Sequence, residues 1–268
     1  MSQSTSFHEL CGLPASVAIP QLVEEFGGQI YSLGLRFCGD RADAEDLVQE
    51  VFLSAFRAWD SFEGRSHPKT WLYTIAARVC HRMHRKRASE PAAVASLDVD
   101  LPFDTPWIAA IPTAQSDAVQ TEIRREAQEK IETAIAALPP DFRIPLVLKE
   151  IVGFSVPEVA EILGMEPGTV KSRVHRARLR LRSAVDAVLP RQQEEAPPPA
   201  YSYQTCLDLL NAKQEALDRG APFDAEIICR RCASVFASLD LTQEVCRNLK
   251  AGKLPTDLRT RLEQAIVR

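Results

Sequence analysis

The stretch from Ser155 to Arg182 constrains this chain most. Ser155-Val156-Pro157-Glu158 reads as a capping box, in which the Ser155 side chain takes a first-turn N–H and Glu158 reaches back to the Ser155 N–H. The helix it opens, Val156 to Leu163, turns Val159, Ile162 and Leu163 to one side, and Gly164 ends it because glycine alone enters a left-handed turn without cost. Pro167-Gly168-Thr169 starts a second helix with Val170 and Val174 inward. From Lys171 to Arg182 that helix carries Lys171, Arg173, Arg176, Arg178, Arg180 and Arg182 and no acid. Two helices joined by a tight glycine turn, the second strongly basic, describe a DNA-binding helix-turn-helix. An ordinary helical hairpin is the competing reading of this segment alone.

A second acid-free run, Arg78, Arg82, Arg85, Lys86 and Arg87, tips the balance. A single basic run is usually a solvated helix face. Two of them, each ending a helical segment, point to phosphate contact. The net charge of −4 hides this segregation. Glycines number only 11 and no strand-like alternation persists, so the expected fold class is all-α. No apolar run approaches the roughly 20 residues that cross a bilayer. The start, MSQSTSFHEL, has no basic segment followed by an apolar one, so no secretion signal is expected. The expectation is a cytoplasmic protein without a membrane partner. Its seven cysteines, an odd number in a reducing compartment, suit metal binding or thiol chemistry better than a disulfide framework.

Along the chain, residues 15–88 form a first helical unit. Ile30, Leu33, Leu35 and Phe37, then Leu47, Val51, Phe52 and Phe56, recur at helical spacing, with a break at Gly39-Asp40. A third helix begins at Pro68 and runs through Trp71, Ile75 and Val79 into the basic run. Trp59, Phe62 and Trp71 read as core residues rather than base-stacking platforms. Residues 89–119 read as a linker, 120–187 as a second helical unit holding the helix-turn-helix, and 188–200 as a proline-rich linker. Residues 201–268 read as a C-terminal cysteine-containing helical domain.

The motifs then become specific. Leu138-Pro139-Pro140-Asp141-Phe142-Arg143, Gly153-Phe154-Ser155-Val156-Pro157-Glu158-Val159-Ala160 and Gly168-Thr169-Val170-Lys171-Ser172-Arg173-Val174-His175-Arg176-Ala177-Arg178 resemble region 4 of extracytoplasmic-function (ECF) sigma factors. Asp43-Ala44-Glu45-Asp46-Leu47-Val48-Gln49-Glu50-Val51-Phe52 resembles region 2.2, and Trp71-Leu72-Tyr73-Thr74-Ile75-Ala76 with the following basic helix resembles regions 2.3 and 2.4. Glu166 departs from the pattern, since relatives often carry a Ser-like cap there. The resemblance implies a transcription initiation factor that binds core RNA polymerase through the β′ clamp helices. Asp46, Gln49 and Glu50, at i, i+3 and i+4 on one helix face, would meet that basic partner. It further implies that Arg78, Arg82, Arg85, Lys86 and Arg87 serve the −10 promoter element. Thr169, Lys171, Ser172, Arg173, Arg176 and Arg178 would serve the −35 element, with Arg suited to bidentate guanine contacts. A free-standing helix-turn-helix regulator is the alternative, and it has no use for a clamp-docking helix. No phosphate-cradling glycine loop, nucleophile elbow or His–carboxylate motif suggests an enzyme.

The C-terminal segment places Cys206, then Cys229-Arg230-Arg231-Cys232, then Cys246. This spacing, with the later Lys253-Leu254-Pro255-Thr256-Asp257-Leu258-Arg259, resembles zinc-binding anti-sigma domains, which are small helical bundles. Those domains usually place a His four residues before the C-x-x-C, where this chain has Ala225. Two readings stay open. Cys206, Cys229, Cys232 and Cys246 hold zinc or another thiophilic metal, or they are buried thiols of a metal-free bundle. The Cys80–His84 pair, at i, i+4 on a basic helix, is read as facing solvent or phosphate. A separate anti-sigma protein is an additional expected partner.

Overall fold

The computed structural model describes residue 10 and residues 12–87, 117–189, 200–223, 228–249 and 252–267. Among the described residues the regular elements are helical, as the composition predicts. They include α1 (Ala15–Cys38), α2 (Arg41–Ala58), α3 (Pro68–Arg87), α4 (Asp117–Ala137), α5 (Pro140–Leu146), α6 (Val156–Leu163), α7 (Pro167–Asp186), α8 (Tyr203–Arg219), α9 (Arg230–Asn248) and α10 (Thr256–Val267). A single 3-10 turn follows α2, and a π-helical turn, Val147–Ile151, follows α5. The chain forms two compact units, residues 1–93, 160–164 and 250–268 in one, and 94–159 and 165–249 in the other.

In the first unit the break between α1 and α2 arises from local chemistry. Gly39 takes a φ of 84°, and the Asp40 side chain caps α2 by accepting the Asp43 N–H at 2.9 Å. Ile19, Leu22, Ile30, Leu33 and Phe37 of α1 are buried with Leu47, Val51 and Phe52 of α2 and Leu72, Ala76 and Val79 of α3. Each of these side chains other than Ala76 contributes about 1.5–3 kcal/mol on leaving water. Leu35, grouped with these by its spacing, instead points outward and is 38% exposed. Trp59 is buried as the core reading expects, its indole N–H donating to the Leu13 carbonyl at 2.9 Å, whereas Phe62 and Trp71, packed against it, are only half-buried.

Residues 252–267 also belong to this unit. Leu258, Leu262 and Ile266, at i, i+4 and i+8 of α10, are buried against α1 and α2. The chain ahead of α10 lies along Gly27 and Gly28, where a Cβ on Gly28 would stand 2.6 Å from the Gly252 carbonyl oxygen. The Gly252 N–H donates to Ser32 Oγ, Arg259 pairs with Glu24, and Arg261 pairs with Glu45 at 2.6 Å.

The second unit is built around α7, which packs against α4, α5 and α9. Val170, Val174, Ala177, Leu181 and Val185 form its fully buried stripe. Helices α8 and α9 are part of this unit: Cys206, Leu209, Leu210, Leu217, Cys232, Val235, Phe236 and Leu239 cluster between them, and Leu179 joins that cluster to α7. The expected C-terminal domain over 201–268 is divided between the two units. Helices α8 and α9 share an apolar cluster that reaches α7 through Leu179 and fall in the second unit, whereas α10 falls in the first.

Candidate nucleic-acid interface

The helix-turn-helix forms as its signals dictate. Ser155 N–H donates to Glu158 Oε2 at 2.7 Å, and Glu158 N–H donates to Ser155 Oγ at 3.4 Å. Gly164 turns at a φ of 63°, and Pro167 opens α7. Glu166, at the N-cap, makes no side-chain cap hydrogen bond. At about 100° per residue, α7 presents three sides. Thr169, Ser172, Arg176 and Arg180 are exposed along one of them, and Arg173 lies beside them. The Arg173 guanidinium is half-buried, reaching the Asp141 carbonyl at 3.4 Å and Met165 Sδ at 3.5 Å. The second side is the buried stripe. Lys171, His175, Arg178 and Arg182 make the third.

In the first unit, Asp46, Gln49 and Glu50 come together as their spacing requires. With Leu53, Val79, Arg82 and Met83 they line a groove of 440 Å³. Glu50 accepts from Arg82 Nη2 at 2.9 Å, so a residue expected at the polymerase pairs with one expected at DNA. Arg78 is exposed on α3, whereas Cys80 is fully buried. The side chains of His84, Arg85, Lys86 and Arg87 lie outside the described residues.

These two surfaces coincide with two family models. Residues 22–90 match sigma-70 region 2, and residues 128–181 match sigma-70 region 4. The chain is 34% identical over 168 residues to the ECF RNA polymerase sigma factor SigW of Bacillus subtilis, covering 62% of this chain and 87% of the relative. It is 32% identical over 174 residues to the RNA polymerase sigma-H factor of Pseudomonas aeruginosa, covering 64% and 88%. It also matches the ECF RNA polymerase sigma factor SigE of Mycolicibacterium smegmatis at 31% over 162 residues, 59% of that protein's length.

The chain belongs to the ECF sigma factors. Members of this family are transcription initiation factors that bind core RNA polymerase and promoter DNA, and the free-standing regulator is set aside.

In this sigma factor the third side of α7 is not open. Lys171 Nζ meets Glu215 Oε1 of α8 at 2.9 Å, and His175 Nε2 meets Asp218 Oδ2 at 2.8 Å. Arg178 is 1% exposed and donates to Glu150 Oε1 at 2.5 Å, Asp218 Oδ1 at 2.7 Å and Gln214 Oε1 at 2.9 Å. Gln243 of α9 donates to the other Glu150 oxygen at 3.0 Å. Burial works against the charge on Arg178, but Glu150 and Asp218 overcome it and raise its pKa. Burial likewise opposes ionisation of Asp218, and the His175 and Arg178 hydrogen bonds and charge outweigh it, lowering its pKa. Arg178 was expected at DNA and is instead an internal residue of the region 4–tail junction. Lys171, half-exposed, is engaged by Glu215. Sequence reading missed Glu150, Gln214, Asp218 and Gln243. The available signal was the pair Glu215 and Asp218 on an otherwise ordinary helix, facing a basic one.

The thiols divide as well. Cys206, Cys229 and Cys232 share one apolar cluster, and the sulfurs of Cys206 and Cys229 both lie against that of Cys232. Cys229 is the N-cap of α9 and Cys232 lies in its first turn. Partial burial opposes ionisation of Cys229, but the Cys232 N–H and thiol and the Arg231 and Ala200 backbone hold its pKa below the ordinary thiol value. Burial first, then the Cys229 sulfur, push Cys232 up to about 12. Cys246 was expected as a fourth ligand. It lies on α9 fourteen residues beyond Cys232, about 21 Å along the axis at ~1.5 Å per residue, and cannot share an ion with it. Among the described residues no group of three or more His, Cys, Asp or Glu is arranged to hold a metal ion. The metal-ligand set therefore does not fit as expected. Ala225 lies outside the described residues.

Proposed function

We propose that this sigma factor directs core RNA polymerase to promoters in the cytoplasm under control of its own C-terminal segment, which responds through Cys206, Cys229 and Cys232. The observation that carries the proposal is the division of that segment. Helices α8 and α9 complete the region 4 unit, and α10 completes the region 2 unit. With parts of this segment in both sigma units, its docked state restrains initiation in this reading.

Asp46, Gln49 and Glu50 form the polymerase-facing groove, with an acidic and amide lining suited to basic clamp helices. Arg78 and Arg82, with Arg85, Lys86 and Arg87, serve the melted −10 strand. Thr169, Ser172, Arg173 and Arg176 read the −35 element. A separate anti-sigma protein would have to displace the tail from the faces it already covers.

The chemistry of the responsive group is a dithiol. The Cys229 sulfur, held toward its thiolate, attacks a peroxide oxygen and forms a sulfenic acid as water leaves. The Cys232 sulfur then forms the disulfide and a second water departs. A thiophilic metal, zinc included, would have only the thiols of Cys206, Cys229 and Cys232 here.

Changing Asp46→Arg with Glu50→Arg tests the polymerase assignment. The double variant keeps its helical circular dichroism and loses co-purification with core enzyme. Normal co-purification would end the assignment of this groove.

A further inference from the structure

We infer that this sigma factor holds its tail on region 4 and a −35 duplex at the same time, so that the tail acts at a step other than −35 reading. The inference rests on the cis-control reading above and narrows where that control is exerted. At about 100° per residue, the stripe Thr169, Ser172, Arg173, Arg176 and Arg180 points about 150° away from the side formed by Lys171, His175, Arg178 and Arg182. The tail takes the Lys171 side and, through Leu179, the flank next to it. Its contacts run from Glu215 to Lys171, from Asp218 to His175 and Arg178, and from Gln214 to Arg178. Thr169, Ser172, Arg176 and Arg180 remain exposed with the tail in place.

Groove dimensions allow both occupants. A helix with its side chains is about 10–12 Å across. The major groove of B-DNA is ~12 Å wide and ~8.5 Å deep. A helix lying in it keeps its far side at or outside the groove mouth, where α8 is attached. Charge agrees with shape. Glu215 and Asp218 of the tail are spent on Lys171, His175 and Arg178, while the exposed stripe keeps the guanidinium groups of Arg176 and Arg180 for bases and phosphates.

The test uses the full chain and a duplex enriched by that chain from a random-sequence pool. We expect enrichment of a defined motif, with Arg176→Ala weakening binding to it roughly tenfold. Hydrogen exchange is then measured with and without saturating duplex. Amides of residues 203–219 and 230–248 should keep their rates within about twofold while those of 169–180 slow. Two results overturn the inference and leave cis control standing. One is tail amides that exchange ~tenfold faster once duplex is bound. The other is a full chain that enriches nothing while its Glu215→Lys, Asp218→Lys variant enriches a motif. If neither protein enriches a motif, the assignment of α7 to −35 reading fails, and this inference with it.

Discussion

The tail meets its two sigma units by different physics. At region 4 the junction is ionic and dry: Arg178 and Glu150 are 1% and 2% exposed at the side chain and are matched by Asp218, Gln214 and Gln243. At region 2 it is an apolar row, Leu258, Leu262 and Ile266, preceded by backbone laid against Gly27 and Gly28, with its ion pairs in solvent. A buried charge network tolerates few alternatives, because any member left alone is a desolvated charge. An apolar row seated on glycine can leave and return without stranding one. The difference predicts that α8 and α9 stay on region 4 while the 252–267 segment is the end that releases.

Three variants sharpen or break that contrast. Arg178→Ala should cost the most, about 3–5 kcal/mol, because it leaves Glu150 and Asp218 buried without their counter-charge. Urea unfolding of the full chain reads this, and a loss below about 1 kcal/mol would show the network to be dispensable. Gly28→Ala comes next. Its new Cβ would stand 2.6 Å from the Gly252 carbonyl, so the strap must shift at roughly 1–3 kcal/mol. Hydrogen exchange should then speed up at 252–267 and not at 203–248. Equal acceleration in both would contradict the contrast. Arg261→Ala should cost least, at most ~1 kcal/mol, because the pair with Glu45 is solvent-screened. No change in the exchange of α10 beyond this is expected.

Local signals made much of this structure legible beforehand. The Ser155–Glu158 box, the turns at Gly39 and Gly164 and the first-turn prolines are each settled within one helical turn, so the helices and the helix-turn-helix follow from them. Asp46, Gln49 and Glu50 gather for the same reason, since one helix carries all three. Failures came where a partner distant in sequence decides. Lys171 and Arg178 look no different in sequence from Arg173 and Arg176; Glu215 and Asp218 separate them from across the chain. Cys246 looked like a fourth ligand because its distance from Cys232 depends on both belonging to one uninterrupted helix. The division of residues 201–268 was invisible because leucines spaced for burial do not say against what.

The central claim is that the tail controls initiation in cis through its thiols. Run-off transcription by core polymerase reconstituted with the full chain, reduced and then treated with peroxide, tests it most directly beside the Cys229→Ser, Cys232→Ser variant. The account predicts that peroxide changes the wild-type initiation rate, because joining Cys229 to Cys232 remodels the cluster they share. It predicts that the serine variant starts at one fixed rate and ignores peroxide. Equal rates for both proteins under both conditions would contradict the account and leave the tail a structural part of the sigma units alone.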